Sequence, residues 1–208
     1  MGKRIVEEAS LVSVANKIRE RAGTSEPLVF PEGFKSAVEG IPDNLENKIN
    51  DLIEEYESEG VAVVTRFGFA GSRKVTKLSF PNATKVQAYG LYDNNKLVDV
   101  YLPKVTEIDS NAFESCTVLK KLDLPSLTVL QPRVFGSCGV ETIILRAPQV
   151  CRMYSSTTIN APAITNGTGF IYVPKNLESA YKADTNWSNY SSQIRAIEDY
   201  PEITGGAV

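Results

Sequence analysis

The sequence contains no histidine. Without an imidazole there is no histidine general base, no Ser-His-Asp triad, no Cys-His pair and no histidine-ligated metal. Long hydrophobic runs are missing too. Stretches such as Val61-Ala62-Val63-Val64 fall far short of the ~20 apolar residues a membrane span requires, so no membrane partner is expected. Basic residues are not in surplus: 22 Lys and Arg stand against 25 Asp and Glu, a formal charge of −3. Nucleic-acid-binding proteins normally carry a positive excess, so no nucleic acid is expected either. Met1-Gly2-Lys3-Arg4-Ile5-Val6-Glu7-Glu8 has no apolar stretch behind it, and no secretory signal is read there. Val6 stands where a myristoylation signal needs Ser or Thr.

Cysteine is scarce, with Cys116, Cys138 and Cys151 alone. An odd count without a signal peptide favours reduced thiols. The sequons at Asn82, Asn166, Asn186 and Asn189 read as chance in a chain without a secretory route. No Cys-x-x-Cys, calcium loop or nucleophile elbow occurs, and no Gly-Lys-Ser/Thr follows the glycines at 68 and 71. The carboxylate pairs Asp93 with Asp99 and Glu107 with Asp109 have no apolar surroundings in sequence, which favours a solvated surface. Neither an enzyme nor a cofactor is expected. The chain of 208 residues is 42% hydrophobic and 9% aromatic, a composition of folded proteins.

What the sequence does have is a repeat. Leu78-Ser79-Phe80-Pro81-Asn82-Ala83-Thr84-Lys85-Val86 is echoed by Val100-Tyr101-Leu102-Pro103-Lys104-Val105-Thr106-Glu107-Ile108. It returns as Leu122-Asp123-Leu124-Pro125-Ser126-Leu127-Thr128-Val129-Leu130. The prolines at 81, 103 and 125 recur every 22 residues. Leu91, Phe113 and Phe135 share one register; Asn94, Cys116 and Cys138 share another. Leu97 and Leu119 align with Val140 once one residue is deleted in the third unit. A degenerate fourth unit starts at Ile143-Ile144-Leu145, with Cys151 expected in the register of Leu130. A period in the twenties with an L-x-L start and a later Asn/Cys column describes leucine-rich repeats. Alternation along the strand sends two side chains inward and one outward, and proline ends the strand because it cannot donate to the ladder. The Asn/Cys column is expected inside the turn, where a small polar or soft side chain meets backbone groups, so the cysteines read as packing residues.

Val105-Thr106-Glu107-Ile108-Asp109-Ser110-Asn111-Ala112-Phe113-Glu114-Ser115-Cys116, continuing to Leu122-Asp123-Leu124-Pro125, resembles the BspA-type leucine-rich repeat, with its Ala-Phe pair, Cys and closing Leu-Pro. The resemblance spans roughly residues 75–200 and implies a solenoid. After Ile171-Tyr172-Val173-Pro174, residues 175–195 read as a helical C-terminal cap in which Tyr181, Trp187 and Tyr190 pack; an aromatic sugar platform at Trp187 is the other reading.

The N-terminal third differs. Ser10, Leu11, Val14, Ala15 and Ile18 mark an amphipathic helix ended by Gly23, and Phe34, Ala37, Val38 and Ile41 mark a second after Pro31. The run from Ser10 to Ile41, with Pro27-Leu28-Val29-Phe30-Pro31-Glu32-Gly33-Phe34 inside it, is similar to a short module of phage and prophage tail proteins. A third helix opens at Pro42-Asp43, where Leu45, Ile49, Leu52 and Tyr56 follow the 4, 3, 4 spacing of a coiled-coil seam. Packing of that face on the chain's own helices is the alternative. Val61–Phe67 and Val75–Phe80, flanking Gly68 and Gly71, read as a hairpin.

The expected fold is therefore mixed α/β: short N-terminal helices and a coiled-coil stem, then a leucine-rich-repeat solenoid with a helical cap. Residues 1–42 form an attachment module, 43–60 a stem and 61–208 the head. Together the two resemblances imply a non-enzymatic phage or phage-like tail or baseplate protein, located in the virion tail. It would bind other tail proteins through residues 1–42 and a host-surface glycan or protein through the head. A bacterial surface-adhesion protein and a purely architectural tail component are the rivals. The outward strand residues Ser79, Tyr101, Asp123, Ile144 and Tyr172 form the candidate ligand face, with Lys77, Asp99, Lys121 and Thr142 beside them and Trp187 as the second candidate. The stem implies a homo-oligomer, a trimer by preference. Light scattering at micromolar concentration should report an oligomer, and Ile49→Asp with Leu52→Asp should give monomers with folded heads; a monomeric wild type would refute the stem.

Overall fold

The computed structural model describes residues 55–155 and 158–204. The attachment module, both expected helices within it, and Leu45, Ile49 and Leu52 lie outside the described residues.

The 22-residue period becomes a coil that crosses two faces. Short strands alternate between them: β1 (Glu55–Glu57), β2 (Val63–Val64), β3 (Lys77–Ser79), β4 (Lys85–Val86), β5 (Asp99–Tyr101), β6 (Glu107–Ile108), β7 (Lys121–Leu124), β8 (Val129–Leu130), β9 (Thr142–Leu145) and β10 (Arg152–Met153). Two more strands, β11 (Phe170–Val173) and β12 (Ile194–Ala196), extend the first face. All pairings are parallel. One face carries β1-β3-β5 and β7-β9-β11-β12, the other β2-β4-β6-β8-β10. No shared ladder joins β5 to β7, so the first face has a seam there.

The inward columns form one continuous core. Leu78, Val100, Leu122, Ile143, Ile171 and Ile194 stack along one face, with Val64, Val86, Ile108 and Leu130 opposite. Phe113 and Phe135 are fully buried one coil apart, their rings stacked at 5.8 Å. The Asn/Cys column sits where expected, inside the turn. Asn94 Nδ2 donates to the carbonyls of Phe69 and Leu91, and its Oδ1 accepts from Ser72 N–H. Cys116 Sγ lies 3.1 Å from Leu91 O, and Cys138 Sγ 3.4 Å from Cys116 O. All three cysteines are free and buried. Burial pushes the Cys138 thiol up to about 11 and Cys151 to about 12.

Backbone conformation repeats with the same period. Phe67, Tyr89, Asn111 and Arg133 are left-handed, and so are Gly71, Asp93, Ser115 and Ser137, with φ between 52° and 73°. Seven of these eight are not glycine and carry a steric cost. The coil-to-coil bonds hold them there: Leu91 N–H to Ala112 O and Phe113 N–H to Val134 O, then Asp93 N–H to Glu114 O and Ser115 N–H to Gly136 O.

Four expectations need correction. Residues 61–80 are not a hairpin: β2 and β3 lie on different faces, and 55–76 form a further coil in register with the next. Tyr56 is not on a helix seam. It lies in β1 opposite Leu78, buried against Phe69 and Phe80 with ring centroids at 5.2 and 5.8 Å. Cys151 does not take the register of Leu130; Met153 does, because the corner between β9 and β10 is longer. Residues 175–195 are not a closing helical cap: they cross over into β12, which begins at Ile194. The helical content of the crossover is α1 (Glu178–Ala183) and 3-10 turns at Lys175–Leu177 and Trp187–Tyr190. The one-residue deletion in the third unit is present, with Lys121 opposite Thr142. It is accommodated at Gly139, where an added Cβ would lie 2.0 Å from Thr117 O.

Phe113→Ala or Phe135→Ala should cost about 3–5 kcal/mol by denaturant unfolding, and exposed Val98→Ala close to nothing. Gly139→Ala should cost about 1–3 kcal/mol or more, because the obstruction is backbone. The thiols should resist a disulfide exchange reagent at pH 8 until the chain is unfolded. Their folded pKa is raised above the free thiol's 9.0, so stability is level below that pH. It should fall as the pH climbs toward 11, where only the unfolded chain releases these protons. Rapid labelling of folded protein would overturn the buried column.

Candidate functional site

Side-chain alternation gives the first face an outward row, and pairing aligns it. Glu57, Ser79 and Tyr101 are consecutive partners on one side of the seam; Asp123, Ile144, Tyr172 and Arg195 are consecutive partners on the other. The structure thus places five of the six candidate ligand residues in one line. It leaves them in different surroundings.

Tyr101 is the exposed member, at 56%. Asp123 sits across the seam in a two-pronged pair with Arg146, Nε to Oδ1 at 2.9 Å and Nη2 to Oδ2 at 2.7 Å. The planar fork of the guanidinium fits both carboxylate oxygens, which fixes the pair's orientation as well as its charge. Between them lies a groove of about 500 Å³ lined by Val98, Tyr101, Pro103, Lys121, Asp123 and Arg146. It follows the seam where β5 and β7 do not pair. Ser79 lies to one side, its hydroxyl donating to Glu57 Oε1 at 3.0 Å.

The other three candidates are withdrawn from solvent. Ile144 is fully buried and Tyr172 is 4% exposed, although neither belongs to the contiguous core. The chain's own C-terminal segment lies on this part of the face: the ring of Tyr200 meets Tyr172 edge-on at 5.5 Å, and Lys121 Nζ donates to Ile203 O at 2.5 Å. Trp187 is not a sugar platform. Its indole is fully buried and Nε1 donates to Cys151 O, while Cys151 N–H donates to the Tyr181 hydroxyl at 2.9 Å. With Asn186 Nδ2 donating to Met153 O, these side chains satisfy backbone left open where the second sheet ends at β10.

Arg146 was not foreseen as a site residue. Its signal lay in the repeat register: it stands where Pro81, Pro103 and Pro125 end the other strands. Losing that proline frees a long side chain at the strand end to reach the row.

On the second face one cation is shared by two carboxylates. Lys85 Nζ lies 3.1 Å from both Glu107 and Asp109. Burial pushes the Glu107 carboxyl up, but hydrogen bonds from Lys85 and Gln131 outweigh it and hold the carboxyl below its usual value. A carboxylate held ionised in this way is no general acid. Among the described residues no group of three or more His, Cys, Asp or Glu side chains is placed to hold a metal, and no helix is long and apolar enough to cross a membrane.

No curated protein matches the chain. The solved structures include the pneumococcal vaccine antigen PcpA, at 19% identity and a TM-score of 0.48 over 69% of this chain. The chain spans 41% of the length of that structure. The model of the BspA type Leucine rich repeat region matches residues 50–160 in six copies, more than half of the sequence. The 22-residue coil, the Ala112-Phe113 and Cys116 columns and the parallel stack are the geometry of that match, and the chain belongs to the BspA-type leucine-rich-repeat family.

Proposed function

We propose that the chain is a non-enzymatic recognition protein of the bacterial surface-adhesion type, contacting its partner through the seam groove. The observation that carries this reading is the groove itself. Tyr101 stands exposed beside the oriented Asp123–Arg146 pair, on a face whose other half the chain covers with its own residues. Tyrosine anchors a contact at little entropic cost, because a rigid ring carries much area on two rotatable bonds. An ion pair already oriented presents both a donor edge and an acceptor edge, which selects a polar partner by geometry. Family membership supports the reading, since stacked repeats offer an extended surface suited to binding.

The N-terminal run from Ser10 to Ile41 favours a second setting, a phage or phage-like tail. There residues 1–42 would attach to other tail proteins, and Leu45, Ile49 and Leu52 would set an oligomeric stem. In both settings the groove meets a glycan or protein on a cell surface.

The purified chain should bind intact cells, and Tyr101→Ala with Asp123→Ala should weaken binding about tenfold or more. Tyr154→Ala, an exposed tyrosine off the groove, should not. Equal binding by wild type and the groove variant, both folded, would remove the site from this groove. Antibody labelling of intact producing cells against sedimented particles separates the settings: signal confined to particles would overturn the adhesion setting.

A further inference from the structure

The outer strand face already holds a ligand, and that ligand is part of the chain. Beyond β12, residues 197–204 form two 3-10 turns, Ile197–Asp199 and Pro201–Thr204. Tyr200 rests on Tyr172 of β11, and the carbonyl of Ile203 reaches Lys121 of β7. The segment therefore reaches from β11 to β7, the strands on either side of β9, whose outward Ile144 is buried although it lies outside the core. Its sequence is Ile197-Glu198-Asp199-Tyr200-Pro201-Glu202-Ile203-Thr204, acidic with one aromatic ring.

The face is complementary in charge and shape. Lys175 Nζ pairs with Asp199 at 2.6 Å, and Lys175 N–H donates to Glu198 Oε2 at 2.9 Å. The Arg195 guanidinium lies 3.3 Å from the Phe170 ring centroid and 5.0 Å from that of Tyr200. Lys121, which grips the Ile203 carbonyl, also lines the open groove next to Arg146. The covered half and the open half are thus one continuous track.

We propose that this track binds a short acidic polypeptide segment that folds into tight turns and bears an aromatic side chain, and that residues 197–204 occupy half of it in cis. A partner segment of the same chemistry displaces the chain's own, uncovers Ile144 and Tyr172, and continues past Lys121 toward Tyr101. The proposal rests on the recognition reading above and names its partner's class. A chain whose track is mostly self-occupied binds in trans only in the fraction of time the track is open.

The probe is a fluorescein-labelled peptide of residues 197–204, followed by anisotropy. A chain ending at Ala196 should take it up, and the full chain should bind roughly tenfold more weakly because its track is filled. Lys121→Ala in the shortened chain should weaken uptake, as should a peptide with Ser in place of its Tyr and Ile residues. A shortened chain that melts cooperatively yet binds the peptide no better than the Ser peptide overturns the proposal. Should the shortened chain fail to fold, the full chain with Tyr200→Ala and Ile203→Ala takes its place. Faster amide exchange over 197–204 with peptide uptake supports the proposal, and no uptake overturns it. Glycan binding at Tyr101 without peptide uptake sinks this inference and leaves the recognition reading standing. Peptide uptake with cell binding insensitive to Tyr101 and Asp123 does the reverse.

Discussion

Every part of this structure depends on backbone hydrogen bonding between one coil and the next. A coil of 22 residues cannot pair its own strands, because β2 and β3 face opposite sheets. Its N–H and C=O groups are satisfied by a neighbour lying parallel to it in register. That register is what the sequence period encodes. Between β7 and β9 the spacing is one residue shorter, and the register holds because Gly139 lets the backbone pass where a side chain could not. The same constraint keeps seven non-glycine residues left-handed. Their local cost is offset by inter-coil bonds that exist only in that conformation.

A stack built this way has open ends, and the C-terminal end is managed by side chains. The second sheet stops at β10 while the first continues through β11 and β12. Tyr181, Trp187 and Asn186 supply there the donors and acceptors a further strand would have supplied. Asn160 does the same for the turns, its Oδ1 accepting from Phe135 N–H at 2.9 Å. The aromatic residues of the crossover are thus spent on closure, with Trp187 and Tyr181 packed at 5.0 Å.

The first face divides at the seam. On one side Tyr101 stands in solvent; on the other an acidic segment lies against Tyr172 and Arg195 and reaches Lys121. Lys121 belongs to both halves: its Nζ donates to Ile203 O and its side chain lines the open groove.

The repeat, its inward columns, the role of Asn94, Cys116 and Cys138 inside the turn, and the outward row were all legible in the sequence. Each is set by the identity of residues at fixed spacing, and a strand of alternating side chains leaves no other way to bury Leu122 and Leu124 together. The first coil was not legible. Glu59 stands where the others have proline, and Glu55-Tyr56-Glu57 reads as helix until Leu78 is there to pair with Tyr56. Which outward residues reach solvent was likewise beyond the sequence. Ile144, Tyr172 and Tyr101 share one row, yet Tyr172 lies under the returning Tyr200, Ile144 is buried and Tyr101 is open. Spacing along the chain fixes which way a side chain points from its strand; what lies over it depends on segments distant in sequence, brought there by packing that no local pattern encodes.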